Sequence, residues 1–251
     1  MAVVWLYTLV SVIIVSAVSL VGIFTLSAGE DFMKKIILFM VSFAAGTMLG
    51  NAFLEIFPEI LKENFLSASQ LSWLMLMSIL FFFLLEKVIH WRHCHIVHEP
   101  SHPHPVAIMN LIGDFAHNIV DGMMIAASYL VDVRVGVATS LAVFVHEIPQ
   151  EIGDFSILIH GGFTRRRALL MNFLSATGAI IGASAVLVIG GGSTVVSYYL
   201  LPFAAAGFIY MACADLFPEL HKESGTGRSL LQIGFLALGI ALIATLTVLM
   251  E

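Results

Sequence analysis

Apolar runs of about 20 residues, the length a helix needs to cross the hydrocarbon core of a bilayer, recur along this chain. They occupy approximately residues 3–26, 36–57, 71–90, 106–130, 135–160, 167–190, 197–217 and 229–250. The pattern predicts an all-α membrane protein with eight transmembrane helices in a single domain, 1–251. Two of the runs differ from the rest. The fourth carries Asp114-Phe-Ala-His117-Asn118-Ile-Val-Asp121-Gly122, and the fifth carries His146-Glu147-Ile148-Pro149-Gln150-Glu151-Ile-Gly-Asp154. These polar stripes dilute the apolar signal, so hydropathy alone defines the fourth and fifth spans least sharply.

Composition narrows the class. The 251 residues are 59% hydrophobic and 11% charged, with mean hydropathy +0.99, against roughly 25% charged residues in soluble domains. The basic residues are few and scattered, which excludes a nucleic-acid partner. Cys94 and Cys213 supply no disulfide framework. The run from Ala2 to Leu26 lacks a basic leading segment, so it reads as a membrane span rather than a cleaved signal peptide.

The loops set an expected orientation. With the N-terminus outside, Lys34, Lys35, Lys87, Arg92, Arg165, Arg166, Arg167, Lys222 and Arg228 fall on the cytoplasmic side, and Lys62 and Arg134 on the other. Cytoplasmic loops collect Lys and Arg, so both termini are expected to be extracytoplasmic, in a multi-pass protein of a cell membrane, a bacterial inner membrane being the expected one.

The chain also repeats itself. Glu55-Ile-Phe57-Pro58-Glu59 with Lys62-Glu63 matches Asp215-Leu-Phe217-Pro218-Glu219 with Lys222-Glu223, and His117-Asn118-x-x-Asp121-Gly122 matches His146-Glu147-x-x-Gln150-Glu151. The paired segments lie on spans that run in opposite directions. A 3+2+3 arrangement with an inverted repeat is the economical reading, and such repeats place substrate near the membrane midplane.

The polar stripes hold five carboxylates and two imidazoles. One carboxylate at the centre of a lone membrane helix costs about 2.5–3.5 kcal/mol on insertion scales, so five must face a shared interior. His117 and Asp121 share a helical face at i, i+4, with Asp114 one turn earlier and Asn118 beside it. His146 and Gln150 share another, with Glu147 and Glu151 one residue over, and Pro149 leaves backbone carbonyls of its helix without a donor. A single buried His or Asp often only ties helices together. A cluster of like charges needs a compensating cation to stay ionised, and mixed imidazole, carboxylate and amide donors suit Zn²⁺, Fe²⁺, Mn²⁺ or Cd²⁺.

At these residues the chain resembles the ZIP (Zrt/Irt-like) family of divalent-metal transporters, and most closely its LIV-1-type branch, with H-N-x-x-D on the fourth span and H-E-x-P-H-E-x-G-D on the fifth. The resemblance implies transport of divalent metal, zinc foremost, toward the cytoplasm, homodimers, and movement between two helix bundles. It implies a binuclear site with His117, Asp121, His146 and Gln150 at the main position. Asn118, Glu147 and Glu151 would line the neighbouring one, with Asp121 or Gln150 bridging. Gln150 departs from the pattern, standing where LIV-1-type members carry His. A neutral amide is the weaker ligand, and this puts metal preference and bridging there in question.

Other features are less specific. His90, His93, His95, His98, His102 and His104 crowd a cytoplasmic loop, about 91–105, with Cys94 and Glu99, a composition that binds metals loosely. Glu55, Glu59, Asp215 and Glu219 either mark way-stations for an ion or simply end helices at the interface. Met48 is either a soft thioether near the site or packing. Asn172 and Ser175 are candidate oxygen ligands, and Gly178 and Gly182 a close-packing surface. An intramembrane zinc metalloenzyme is the alternative, since His146-Glu147-Ile-Pro149-Gln150 partly resembles H-E-x-x-H. The second His is missing, and nothing marks an open coordination position. A metal sensor would need only the His-rich loop.

Overall fold

The computed structural model describes residues 2–22, 30–63, 65–91, 105–190, 194–223 and 225–250. The elements are α1 (Ala2–Val18), α2 (Glu30–Gly50), α3 (Phe57–Glu63), α4 (Ala68–Trp91), α5 (Pro105–Val131), α6 (Val133–His160), α7 (Arg165–Ala176), α8 (Gly178–Gly190), α9 (Thr194–Met211), α10 (Phe217–His221) and α11 (Thr226–Met250). The described residues contain no strand. The histidines expected in the loop after the third span lie outside them, apart from His90 at the end of α4.

Six helical segments are long and apolar enough to cross a membrane: Ala2–Val21, Phe39–Lys62, Ala68–Lys87, Arg165–Gly190, Tyr199–His221 and Thr226–Leu249. They coincide with six of the eight expected spans. The stretches expected as the fourth and fifth spans fold as α5 and α6, helices of 27 and 28 residues that carry the polar stripes and are not among these six. Large apolar side chains point outward from the apolar helices, among them Trp73, Val188, Leu230 and Leu249. A lipid-facing surface requires that inversion of a soluble protein's exterior.

Asp132 alone separates α5 from α6. It takes an extended backbone, and its carboxylate accepts the Arg134 N–H at 2.7 Å, an N-cap that satisfies a first-turn donor. The two polar helices therefore turn straight back on one another. At the other end of α6, Gly162 at φ 89° makes the turn into α7, a conformation open to glycine at little cost.

The internal repeat has a structural counterpart. Asn51–Ile56 and Ala212–Leu216 are π-helical, each followed by a Phe-Pro pair, and the Phe57 and Phe217 N–H groups bond back five residues to the Ala52 and Ala212 carbonyls. Pro58 and Pro218 lack an N–H, and their rings crowd the carbonyl four residues back; widening the preceding turn relieves both problems.

The helices sort into two groups by packing. α1, α5, α6, α7 and α8 pack on one another, as do α2, α4, α9 and α11; α2 against α6 and α9 against α5 join the groups. Within the first group, α5 and α8 approach closely enough that a Cβ on Gly122 would lie 1.9 Å from the Ala179 carbonyl oxygen, and one on Gly182 1.9 Å from that of Ile119. The small residues expected to form a packing surface thus meet the backbone of α5.

Near the Asp132 turn, Arg134 links the two groups. Its Nε lies 3.5 Å from Glu55 and its terminal nitrogen 3.6 Å from Glu59, and both carboxylates are buried. By contrast Asp215 and Glu219 at the other repeat are exposed, so the two motifs are alike in backbone but not in surroundings. Removing one member of a fully buried ion pair costs about 3–5 kcal/mol. Because one fifth of the Arg134 side chain is exposed, Arg134→Gln should cost about 2 kcal/mol, less than that range. A lower melting temperature in detergent, with Arg134→Lys intermediate, is the expected reading.

Candidate metal centre

Four donor atoms converge where α5 and α6 cross. His146 Nε2 lies 3.2 Å from Asp121 Oδ2, 3.3 Å from Glu147 Oε1 and 3.3 Å from His117 Nε2. His117 Nε2 lies 3.6 Å from Glu147 Oε1 and 3.7 Å from Asp121 Oδ2. A tetrahedral zinc with ligands at about 2.0–2.1 Å holds its donors about 3.3 Å apart. Five edges of the set fall between 3.2 and 3.7 Å, so the cage already has the dimensions of a zinc site. Asp121 and Glu147 are completely buried, His146 nearly so, and His117 is the member open to solvent, at 22%.

The local sequence explains the convergence. His117 and Asp121 are one turn apart on α5, while His146 and Glu147 are neighbours on α6 and straddle the line of contact. His146 Nδ1 sits 3.1 Å from the Ala142 carbonyl. A carbonyl only accepts, so Nδ1 carries a proton and Nε2 is the nitrogen that faces the cage, the support that metal-binding histidines generally receive. Pro149 stays inside α6 and withholds a hydrogen bond from the Val145 carbonyl one turn back.

A second group adjoins the first. One oxygen each from Asp114, Glu147 and Glu151 lie within 4.8 Å of one another, and all three residues are buried. Asn172 Nδ2 donates to Glu151 Oε2, the Ser175 hydroxyl donates to Asp114 Oδ2, and Asn118 Nδ2 donates to Asp114 Oδ1 at 2.8 Å. Among the described residues Glu147 Oε2, Asp121 Oδ1 and Glu151 Oε1 have no hydrogen-bond donor although buried. Unsatisfied buried carboxylate oxygens are costly, and a cation relieves several at once.

Each residue singled out from the sequence can now be placed. His117, Asp121 and His146 lie together with Glu147, which also belongs to the second group. Glu151 joins the second set with Asp114. Asn118 is buried and donates to Asp114, and Gln150 is half-buried one turn beyond His146. Asn172 and Ser175 act as donors that hold carboxylates, and Met48 is packed in the apolar core. Asp154 is buried and accepts from Asn110 at 2.9 Å. A buried row not marked in the sequence adjoins these helices, in which Asn51 donates to Thr139 and Thr139 to Ser128. Isolated Ser, Thr and Asn on apolar spans carried no distinguishing signal there.

Comparison with known proteins accords with this chemistry. The family model described as ZIP zinc transporter matches residues 2–106 and 98–247. Zinc transporter ZIP13 of Pongo abelii is 31% identical over 226 residues, 85% of this chain and 66% of that protein. Zinc transporter zipt-7.2 of Caenorhabditis elegans is 39% identical over 140 residues, 54% of this chain and 30% of that protein. Zinc transporter SLC39A7 of Rattus norvegicus is 37% identical over 141 residues, 53% and 30% respectively. The chain therefore spans just under two thirds of the first of these relatives and under a third of the other two. The relatives are named as transporters, not enzymes, and the long apolar helices make this a multi-pass membrane protein. The chain belongs to the ZIP zinc transporter family.

Proposed function

We propose that this protein moves divalent metal cations, zinc foremost, across a membrane toward the cytoplasm through a centre between α5 and α6. The reading rests chiefly on the zinc-sized cage of His117, Asp121, His146 and Glu147, set between helices too polar for lipid with His117 alone of the four partly open to solvent. Two carboxylates and two neutral imidazoles around one dication leave no net charge, which offsets the desolvation that buried carboxylates otherwise suffer. Glu147, belonging to both groups, is the bridging ligand of a binuclear arrangement with Glu151 and Asn118 at its far side. Gln150 modulates the site from one turn away. In this reading α5 and α6 span the bilayer with the six apolar segments, both termini are extracytoplasmic, and two copies pair as a homodimer in a cell membrane, such as a bacterial inner membrane. A cytoplasm-negative potential draws cations inward, at about 2.3 kcal/mol per charge for each 100 mV.

Flux of ⁶⁵Zn²⁺ into proteoliposomes tests this directly. Wild type should load the vesicles and Glu147→Ala should not; equal loading by both contradicts the reading. Protons compete with metal for the imidazoles and carboxylates, so zinc affinity should fall between pH 7 and pH 5. Gln150→His should shift competition among Zn²⁺, Fe²⁺ and Mn²⁺ toward zinc by supplying a further imidazole, and an unchanged ranking counts against a role for position 150.

A further inference from the structure

We infer that the turn from α6 into α7 is a docking surface for an anionic phospholipid. Its phosphate sits among Arg165, Arg166 and Arg167, and its acyl chains lie along an exposed apolar stripe of α7. The inference goes beyond the transport reading and does not depend on which ion is carried.

Position is the first observation. Arg165 opens the segment Arg165–Gly190, which is long and apolar enough to cross a membrane. Three consecutive arginines, all exposed, therefore stand at the end of a span, the level of the phospholipid headgroups. Their charge is the second. Lys62, Arg134, Lys222 and Arg228 each lie against a carboxylate, whereas among the described residues these three arginines have no ion-pair partner. Arg167 lies over the Phe163 ring, 5.0 Å from its centroid, which anchors it to the turn without cancelling its charge.

The turn that presents them is built into the fold. The Gly161, Gly162 and Phe163 N–H groups donate to the Ile157, Ile159 and Leu158 carbonyls at 2.8, 3.1 and 3.1 Å. Phe163 itself is buried with Ala107, Phe155, Leu158 and Ala168, and the Thr164 hydroxyl caps α7 by accepting the Arg167 N–H.

The chemistry of the helix beyond the turn selects the occupant. Leu170, Phe173 and Leu174 are exposed and lie one and two turns beyond Arg166 on its helical face. Guanidinium groups take phosphate oxygens through two parallel N–H bonds. A free phosphate would gain nothing from the leucines, and a zwitterionic headgroup brings a cation that the arginines repel. A phosphate ester of net negative charge with acyl chains satisfies both halves of the surface. On the opposite face of α7, Asn172 donates to Glu151 and Ser175 to Asp114, so the lipid bears on the helix that anchors two carboxylates of the metal centre.

The test titrates the full chain in neutral detergent with phosphatidylglycerol or phosphatidylcholine and counts retained lipid by native mass spectrometry. Wild type should retain phosphatidylglycerol at about 10-fold lower concentration than phosphatidylcholine. Arg166→Gln should weaken phosphatidylglycerol about 5-fold, the scale of one basic side chain at an anionic membrane surface, and Arg165→Gln, Arg166→Gln and Arg167→Gln combined roughly 100-fold. Lys222→Gln with Arg228→Gln, which removes cations already paired to Glu219 and Glu223, should leave retention unchanged. Retention unaltered by the arginine substitutions, an equal loss in the paired-cation control, or phosphatidylcholine held as strongly as phosphatidylglycerol overturns the inference. Displacement of the lipid by inorganic phosphate overturns it too, since the turn would then bind a free anion.

Discussion

Asp121→Ala should reduce zinc flux roughly 100-fold or more, since changes to residues that merely support ligands already cost 10–100-fold. Asp121 is completely buried, stands 3.2 Å from His146 Nε2, and shares its helical face with His117. Removing it leaves three donors and a net positive charge around any dication held there. A defect of folding is separable by thermal unfolding. Zinc at 100 times its dissociation constant stabilises a single-site protein by about 2.7 kcal/mol. Wild type should show that gain, and Asp121→Ala should unfold normally without it. A variant that still gained stability from zinc would remove Asp121 from the ligand set.

The second large effect comes from a residue with no donor atom. In the interior of an ordinary helix, Gly→Ala stabilises by about 0.5–1 kcal/mol. Gly122→Ala should do the reverse, because its Cβ would lie 1.9 Å from the Ala179 carbonyl oxygen, a backbone atom that cannot rotate away. α5 and α8 must separate, at about 1–3 kcal/mol for overpacking and more where two helices shift as units. Gly122 follows Asp121 directly, so the displacement also spreads the donor cage. Gly234→Ala is the matched control, since a Cβ there meets nothing within 4 Å. Detergent melting curves should fall for Gly122→Ala with loss of zinc affinity, and hold or rise for Gly234→Ala. Equal behaviour of the two would mean that the close approach of α5 and α8 is not a feature of the protein.

The helices themselves were largely legible in the chain. The expected spans 106–130 and 135–160 coincide closely with α5, Pro105–Val131, and α6, Val133–His160, because a polar stripe at helical spacing betrays a helix as surely as a run of leucines. Interruptions were less legible. The span expected over 167–190 breaks at Thr177 between α7 and α8, and the π-helical turns before Pro58 and Pro218 leave no mark beyond the prolines. At the site, helical geometry alone decides that His117 and Asp121, one turn apart, share a face. The allocation of Glu147 was not decidable in the same way. Adjacent residues on a helix diverge by about 100°, and whether His146 and Glu147 both reach α5 depends on how the two helices cross. Asp114 shares a face with Asn118 by helical spacing alone, but its grouping with Glu151 depends on how α5 packs against α6 and on Ser175, whose hydrogen bond to Asp114 comes from α7.

The central claim is that two imidazoles and two carboxylates from α5 and α6 enclose one zinc ion. X-ray absorption at the zinc edge, on the full chain with one equivalent bound, measures that shell directly. Four nitrogen and oxygen neighbours at about 2.0–2.1 Å, with the multiple-scattering signature of two imidazoles that falls to one in His146→Ala, is the predicted spectrum. A sulfur shell at about 2.3 Å, or a spectrum identical in wild type and His146→Ala, would place the ion elsewhere and contradict the account.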